Sequence, residues 1–401
     1  MVTLCALCLK SSLDNFSMST ENTNAEDIHV VVNTDDRFDR QKLITWWDQS
    51  KLSAARVLVV GAGALGNEIV KNLALVGVGH ITIVDMDTIE RSNLARCIFF
   101  RESDEGMAKS EVLAREVKRL NSDIETTFYT CPVQELGDAF IADFTLVIAG
   151  LDNREARVWL GSAVRRVGKV WIDAAIEGLM GSVQTFTPTG PCYACSMSDV
   201  DWKIVAHRRS CKLLGNEEIE AGHTPTNATT SSIIAGIQTQ EAIKYLVEES
   251  ELYALEDKVW RMFGEQMMTY SSIIEIDEEC PYHYDFLPAS EPFLLPEKLF
   301  DLWHLTDMPD TAVLSFYDDF IFINPCANCG GDAKIGFKDV MKKQGTCTKC
   351  DAELVVDLCS RIKKDDKAAA ISLNPEFWPL KSYVQFSQEG IPSRKTIMRS
   401  N

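Results

Sequence analysis

The chain has 401 residues, 46% hydrophobic and 25% charged, proportions that exclude a fibrous or wholly disordered polymer and allow about two to three domains. No run approaches the ~18 apolar residues of a membrane span, and 40 Lys+Arg against 59 Asp+Glu leave a net charge of −19. So acidic a surface repels phosphate backbones, which excludes nucleic acid and anionic membrane as main partners.

The first stretch, Val2 to Leu9, is apolar but short and has no Lys or Arg ahead of it, so it makes a poor signal peptide. Cys5 and Cys8 form a lone C-x-x-C read as an accident, and Met18 is an alternative start. Ser, Thr, Asn and Asp dominate up to Asp36, so residues 1–36 are expected to be a disordered tail. From Arg56 the pattern is α/β. The apolar run 56–60 reads as a buried parallel strand, and 80–85, 144–149 and 170–173 as the strands that follow it, with helices over 67–76 and 107–120 between them. Residues 182–187 read as an edge strand and 196–225 as a polar lid. A long helix is expected over 228–247 with Ile233, Ile237 and Leu246 on its buried side. Pro288, Pro292 and Pro296 mark a linker into a region of different character. The expected fold is a doubly wound, Rossmann-like, mostly parallel sheet over 37–287, followed by a smaller domain over 288–401.

Gly61, Gly63 and Gly66 form a G-x-G-x-x-G between the first strand and its helix, a loop that admits a phosphate to the helix N-terminus. Asp85 closes the second strand, where an acid can hold ribose hydroxyls. The groups that follow favour a triphosphate over a dinucleotide. Asn93, Arg96 and Lys109 supply fixed polar and cationic groups for a departing pyrophosphate, and Asp152 can hold magnesium. A nicotinamide dehydrogenase has no proton relay among these residues.

The segment Asp85 to Phe99 resembles the D-x-D-x-V-E-x-S-N-L-x-R-Q-x-L-F signature of the ThiF/MoeB adenylyltransferases and ubiquitin-activating enzymes, and Arg37 to Gln41 resembles that family's R-Y-x-R-Q entry motif. The resemblance covers roughly residues 37–285. It implies ATP- and magnesium-dependent adenylation of the C-terminal glycine of a ubiquitin-like protein. It also implies that Asp85 and Asp87 lie in the nucleotide site, that Asn93, Arg96 and Lys109 hold phosphates, and that Asp152 binds magnesium. Arg40 would reach the γ-phosphate from the other subunit of a homodimer. Cys97 replaces the family's Gln.

The 13 cysteines point to metal or catalytic work in a reducing, cytoplasmic setting rather than to disulfides. Cys326, Cys329, Cys347 and Cys350 have zinc-ribbon spacing, so the C-terminal domain is expected to hold a structural zinc. Relatives with a zinc site carry one C-x-x-C at the exit of the core sheet and one at the end of the activating domain. By that resemblance Cys192, Cys195, Cys280 and His283 form a second, Cys₃His zinc site. Cys131 and Cys359 are expected to be buried. Cys211 lies among Arg208, Arg209 and Lys212, cations that favour a thiolate. The resemblance to small homodimeric activators of the ubiquitin-fold-modifier type makes it the thioester-forming nucleophile, handing the modifier to a conjugating carrier protein. The alternative is a ThiF/MoeB-type adenylyltransferase that stops at the adenylate of a sulfur-carrier protein.

Overall fold

A computed structural model describes residues 36–198, 225–280, 282–283, 292–341, 344–359, 361–388 and 391–400. Cys5, Cys8, nearly all of the expected tail, Pro288, and most of the expected lid, including Cys211, lie outside the described residues.

The main sheet has eight strands in the order β3-β2-β1-β4-β5-β6-β7-β8. These are β1 (Arg56–Val60), β2 (His80–Val84), β3 (Glu125–Tyr129), β4 (Leu146–Ala149), β5 (Val170–Glu177), β6 (Met180–Phe186), β7 (Lys258–Phe263) and β8 (Met268–Ile273). Neighbours from β3 to β5 pair in parallel, and from β5 to β8 antiparallel. Alternate residues of β1 face opposite layers. Val57 and Val59 pack with helices α1 (Gln49–Ala54), α2 (Ala64–Leu75), α3 (Lys109–Leu120) and α6 (Ala228–Leu246). Leu58 and Val60 pack with α4 (Asp138–Ile141) and α5 (Arg154–Arg166). A strand covered on both faces is mostly apolar, which is why Val57 to Val60 of β1 and the whole of β4 stand out as unbroken runs, while β2 is interrupted by the buried Thr82.

Three expectations are corrected. The strand over 182–187 is internal, because β7 and β8 extend the sheet beyond it and β8 is the edge. Ile233 is 47% exposed, whereas Ile234 is buried. The face of α6 is set by Ile234 seated over Gly181 of β6 and by Gln238, whose Nε2 donates to the Ala149 and Ile172 carbonyls at 2.7 and 2.9 Å. Pro292 is not linker: it opens β9 (Pro292–Leu294), which pairs in parallel with β16 (Ile391–Arg399).

The strands that follow are β10 (Val313–Phe316), β11 (Phe320–Ile323), β12 (Lys334–Phe337), β13 (Val356–Leu358), β14 (Arg361–Lys363) and β15 (Lys381–Gln388). Residues 292–400 thus build a five-stranded sheet, β14-β10-β15-β16-β9, and a three-stranded one, β12-β11-β13. Their shared core is aromatic, with Trp303, Phe320, Phe337, Trp378 and Phe386 all buried. The region is held against α4 and α5 by a buried polar seam. Arg166 Nε lies 3.2 Å from Asp138 and its Nη2 3.5 Å from Asp318, while Trp159 Nε1 donates to Asp318 at 2.9 Å. Asp138 also accepts the Tyr383 N–H at 3.0 Å. Among the described residues no helix is long and apolar enough to cross a membrane.

Candidate functional site

The glycine loop joins the end of β1 to α2. Gly61 has φ +98°, and a Cβ there would meet the Gly150 carbonyl oxygen at 2.6 Å, so glycine is required. A Cβ on Gly66 would run into the Gly61 carbonyl, which brings helix and strand together. Gly63 differs: it caps the N-terminus of α2 and nothing lies within 4 Å of where its Cβ would be. Open ground over a helix N-terminus fits a phosphate.

Asp85, at the end of β2, spans this loop and the next. Its Oδ2 accepts the Ala62 N–H at 2.6 Å and its Oδ1 the Asp87 N–H at 2.8 Å. Burial raises its pKa, and the opposing Lys109 charge and the two N–H donors do not cancel that rise. Lys109, the first residue of α3, is ion-paired to Asp87 at 2.8 Å. Burial works against its charge, but the Asp87 bond and the Asp85 charge outweigh this and hold its pKa above the usual lysine value. Asn93 is buried and folds its own turn, its Oδ1 accepting the Glu90 N–H at 2.9 Å and its carbonyl accepting those of Arg96 and Cys97 at 3.1 and 3.0 Å. The Arg96 side chain makes no hydrogen bond or ion pair among the described residues, which leaves it available to an anion.

Asp152 lies in the loop after β4 and is exposed. The helix cap that would have given it a purely structural role belongs to its neighbour: Asn153 Oδ1 accepts the Glu155 and Ala156 N–H groups at 2.8 and 3.4 Å. Sequence reading missed the residues that hold this loop. Arg157 donates to the Leu151 carbonyl and, at 2.9 Å, to that of Ala174, while its Nε lies 3.0 Å from Asp173. Burial pushes the Asp173 carboxyl up to about 6 despite that partner. Asn67 was also missed. It donates to the Ala62 and Gly63 carbonyls at 3.0 Å and accepts the Phe99 N–H at 3.1 Å, lashing the glycine loop to the Arg96 segment. The only available signal was an amide one residue beyond Gly66, and the helix holds a second amide, Asn72, with nothing in the sequence to tell them apart.

Arg40 is not brought to this site within the chain. Its turn sits at the far end of α2, where Gln41 bonds the Leu75 carbonyl at 3.4 Å and Phe38 lies under Gly77. The 12 residues of α2 put that end ~18 Å from Gly63 at a rise of ~1.5 Å per residue.

Two clusters of metal-ligand type form, each with its four donor atoms within 4.8 Å of one another. In the first, Cys192 Sγ lies 3.7 Å from Cys195 Sγ and 3.6 Å from Cys280 Sγ, and Cys195 Sγ lies 3.1 Å from His283 Nε2. In the second, the Cys326–Cys350 and Cys329–Cys347 sulfurs are 3.6 and 3.5 Å apart. Zn–S bonds of ~2.3 Å set tetrahedral edges of ~3.8 Å, so both donor sets fit zinc, with no position left for a substrate. The other described cysteines are not primed nucleophiles. Burial pushes the Cys97 thiol up to about 11 and that of Cys131 up to about 12, and it raises Cys359 as well. Cys97 is buried, whereas Cys131 and Cys359, expected to be buried, are partly exposed.

Three kinds of likeness accompany this geometry. The SAMP-activating enzyme E1 of Haloferax volcanii is 32% identical over 246 residues, 58% of this chain and 82% of that protein. The NEDD8-activating enzyme E1 catalytic subunit of Schizosaccharomyces pombe is 38% identical over 158 residues, and ubiquitin-like modifier-activating enzyme 7 of Mus musculus is 36% identical over 189. The matches cover 38% and 43% of this chain but only 35% and 19% of those two proteins. Among solved structures, microcin C7 biosynthetic enzyme MccB in complex with N-formylated MccA superimposes with a TM-score of 0.53 at 22% identity, covering 63% of this chain and 76% of that one, a likeness of fold. The model of the ThiF family matches residues 36–281, well over half of the sequence, and the chain belongs to that family.

Proposed function

We propose that the chain is an ATP-dependent activating enzyme that adenylates the C-terminal glycine carboxylate of a ubiquitin-like protein and then captures it as a thioester on Cys211. The observation that carries the first step is the convergence of Gly63, Asp85, Arg96, Lys109 and Asp152 on loops at the carboxyl ends of β1, β2 and β4. Ligands of open α/β sheets bind at those ends. Asp85 would take the ribose and the N-terminus of α2 the phosphates. Arg96 and Lys109 would hold the charge that grows on pyrophosphate as the modifier's carboxylate oxygen bonds to the α-phosphorus. Asp152 would hold the magnesium ion, which neutralises phosphate charge. In the second step the Cys211 thiolate attacks the acyl carbon, and AMP leaves with the former carboxylate oxygen.

Cys211 is supported by its three cationic neighbours in sequence and by the raised thiols of Cys97, Cys131 and Cys359. Arg40 would serve the site of a second copy, making the working form a homodimer. The Cys₃His and Cys₄ clusters would each hold a structural zinc, and the metal thiolates suit a reducing, cytoplasmic setting. The domain boundary would fall near residue 287, and residues 288–401 would receive the modifier or a carrier protein.

The test is incubation of the purified chain with ATP, magnesium and candidate ubiquitin-like proteins. The expected results are pyrophosphate exchange lost in Asp152→Ala, and a reductant-sensitive adduct lost in Cys211→Ala while exchange persists. Exchange without any adduct in the wild type would instead establish the sulfur-carrier adenylyltransferase. Failure to bind ATP would remove both readings.

A further inference from the structure

We propose that Arg157 is a positioning residue that couples the Cys192/Cys195/Cys280/His283 cluster to the loop carrying Asp152, so that metal in the cluster sets how the chain uses magnesium with ATP. The proposal rests on the adenylation reading.

Helix α5 starts just after Asp152, and Arg157 projects from its first turn into the interior, with 8% of its surface exposed. One guanidinium there reaches four groups. It donates to the Leu151 carbonyl, the residue directly before Asp152, and to the Ala174 carbonyl of β5 at 2.9 Å. It pairs with Asp173 at 3.0 Å and interacts with the Tyr193 hydroxyl. Tyr193 stands between two of the cluster's ligands, Cys192 and Cys195. Its ring is lodged against Trp171 and Phe186, with centroids 6.1 and 6.2 Å away.

The ligand segment is seated along α5 at two further points. Arg165 donates to the Gly190 carbonyl, and Gly161 leaves room for Tyr193, whose Cβ would lie 3.3 Å from any Cβ added there. The 192–195 turn, the Tyr193 hydroxyl, Arg157 and the Leu151 carbonyl thus form one chain of contacts through the interior. A bound ion fixes the ligand turn. Losing the ion frees Tyr193 and deprives the guanidinium of a partner, which slackens its hold on the carbonyl beside Asp152. A planar fork with several donors can serve all four groups together, and a lysine cannot.

The experiment is calorimetric titration of the full chain with ATP across a magnesium series, alongside zinc content and thermal midpoint. Tyr193→Phe removes the hydroxyl but keeps the ring and both flanking cysteines. It should retain the wild-type zinc content and midpoint while raising the magnesium needed for half-maximal ATP tightening by about fivefold, the worth of a hydrogen bond. Arg157→Lys should raise it by about tenfold or more, as for losses of residues that orient metal ligands, with ATP affinity in the absence of magnesium unchanged. Stripping zinc from the wild type should give a shift of the Tyr193→Phe size, reversed when zinc is restored. Wild-type magnesium dependence in both Tyr193→Phe and the zinc-stripped protein would overturn the coupling, as would equal loss of magnesium-free ATP binding, which marks general structural damage. If Arg157→Lys does not fold, those two measurements decide alone. Absence of ATP binding in the wild type at every magnesium concentration would instead sink the adenylation reading.

Discussion

The two cysteine clusters use nearly the same donors but sit differently in the chain. Cys326 pairs with Cys350 and Cys329 with Cys347, 24 and 18 residues apart, around a knuckle in which Gly330 takes φ +67° and donates to the Cys326 carbonyl at 2.8 Å. The Cys192–Cys280 and Cys195–His283 contacts each join positions 88 residues apart, on either side of α6, β7 and β8. A local cluster organises its own loop and the strands beside it. A long-range cluster closes a large part of the main sheet and, through Tyr193 and Arg157, touches the strand-end loops.

The largest effect should come from breaking the long-range cluster. A structural zinc site absent from the unfolded chain contributes on the order of 10 kcal/mol in isolated zinc modules. Cys280→Ser should therefore halve the zinc content, sharply lower the thermal midpoint and weaken ATP binding at limiting magnesium. Cys347→Ser should also halve the zinc, yet leave ATP binding at the wild-type level. Equal effects of the two on ATP binding would erase the contrast.

Next in size is the seam between the two regions. Arg166→Ala would leave Asp138 and Asp318 buried without their cation, an expected loss of about 3–5 kcal/mol in denaturant unfolding. An unfolding curve that splits into two transitions would show that this arginine joins two separately folding units. A site-level test follows. Lys109→Ala should slow pyrophosphate exchange by about 100- to 1,000-fold if the lysine holds the departing pyrophosphate as proposed, with the midpoint nearly unchanged.

The smallest effect is a pH slope at the seam. Burial pushes the Asp318 carboxyl up to about 7 from the ordinary 3.8 of an aspartate, with Arg166 opposing the shift. Between those values the folded chain binds a proton that the unfolded chain has released. Stability contributed by this group therefore falls as pH rises through that window and levels off above it, by on the order of 1 kcal/mol per pH unit. Asp318→Asn should flatten the slope measured by urea unfolding between pH 5 and 7, and an unchanged slope would assign it to other groups.

Legibility in the sequence followed local chemistry. β1 and β4 were visible because strands covered on both faces are mostly apolar, and β2 through its β-branched Ile81, Thr82, Ile83 and Val84. β3 was missed because Glu-Thr-Thr-Phe-Tyr on the sheet edge has no such run, and β8 for the same reason. The buried face of α6 was misjudged at Ile233 because a glycine hollow at Gly181 and the bonds of Gln238 decide it, and neither appears in a count of apolar residues.

Taken alone, the sequence determined the elements whose cause lies within a few residues: the apolar strands, the glycine loop and the four-cysteine knuckle. It also contained the residues proposed for the nucleotide site, because they lie in short segments that follow the strand ends. Tertiary structure decided what depends on residues far apart in the chain. It set Asn153 rather than Asp152 in the helix cap, paired Asp87 with Lys109, and left Arg40 at the opposite end of α2 from the glycine loop. It also buried Arg157 between Leu151, Asp173 and Tyr193, and Arg166 between Asp138 and Asp318. A buried guanidinium needs several acceptors arranged around it, and only the packed sheet and helices bring those acceptors to one place.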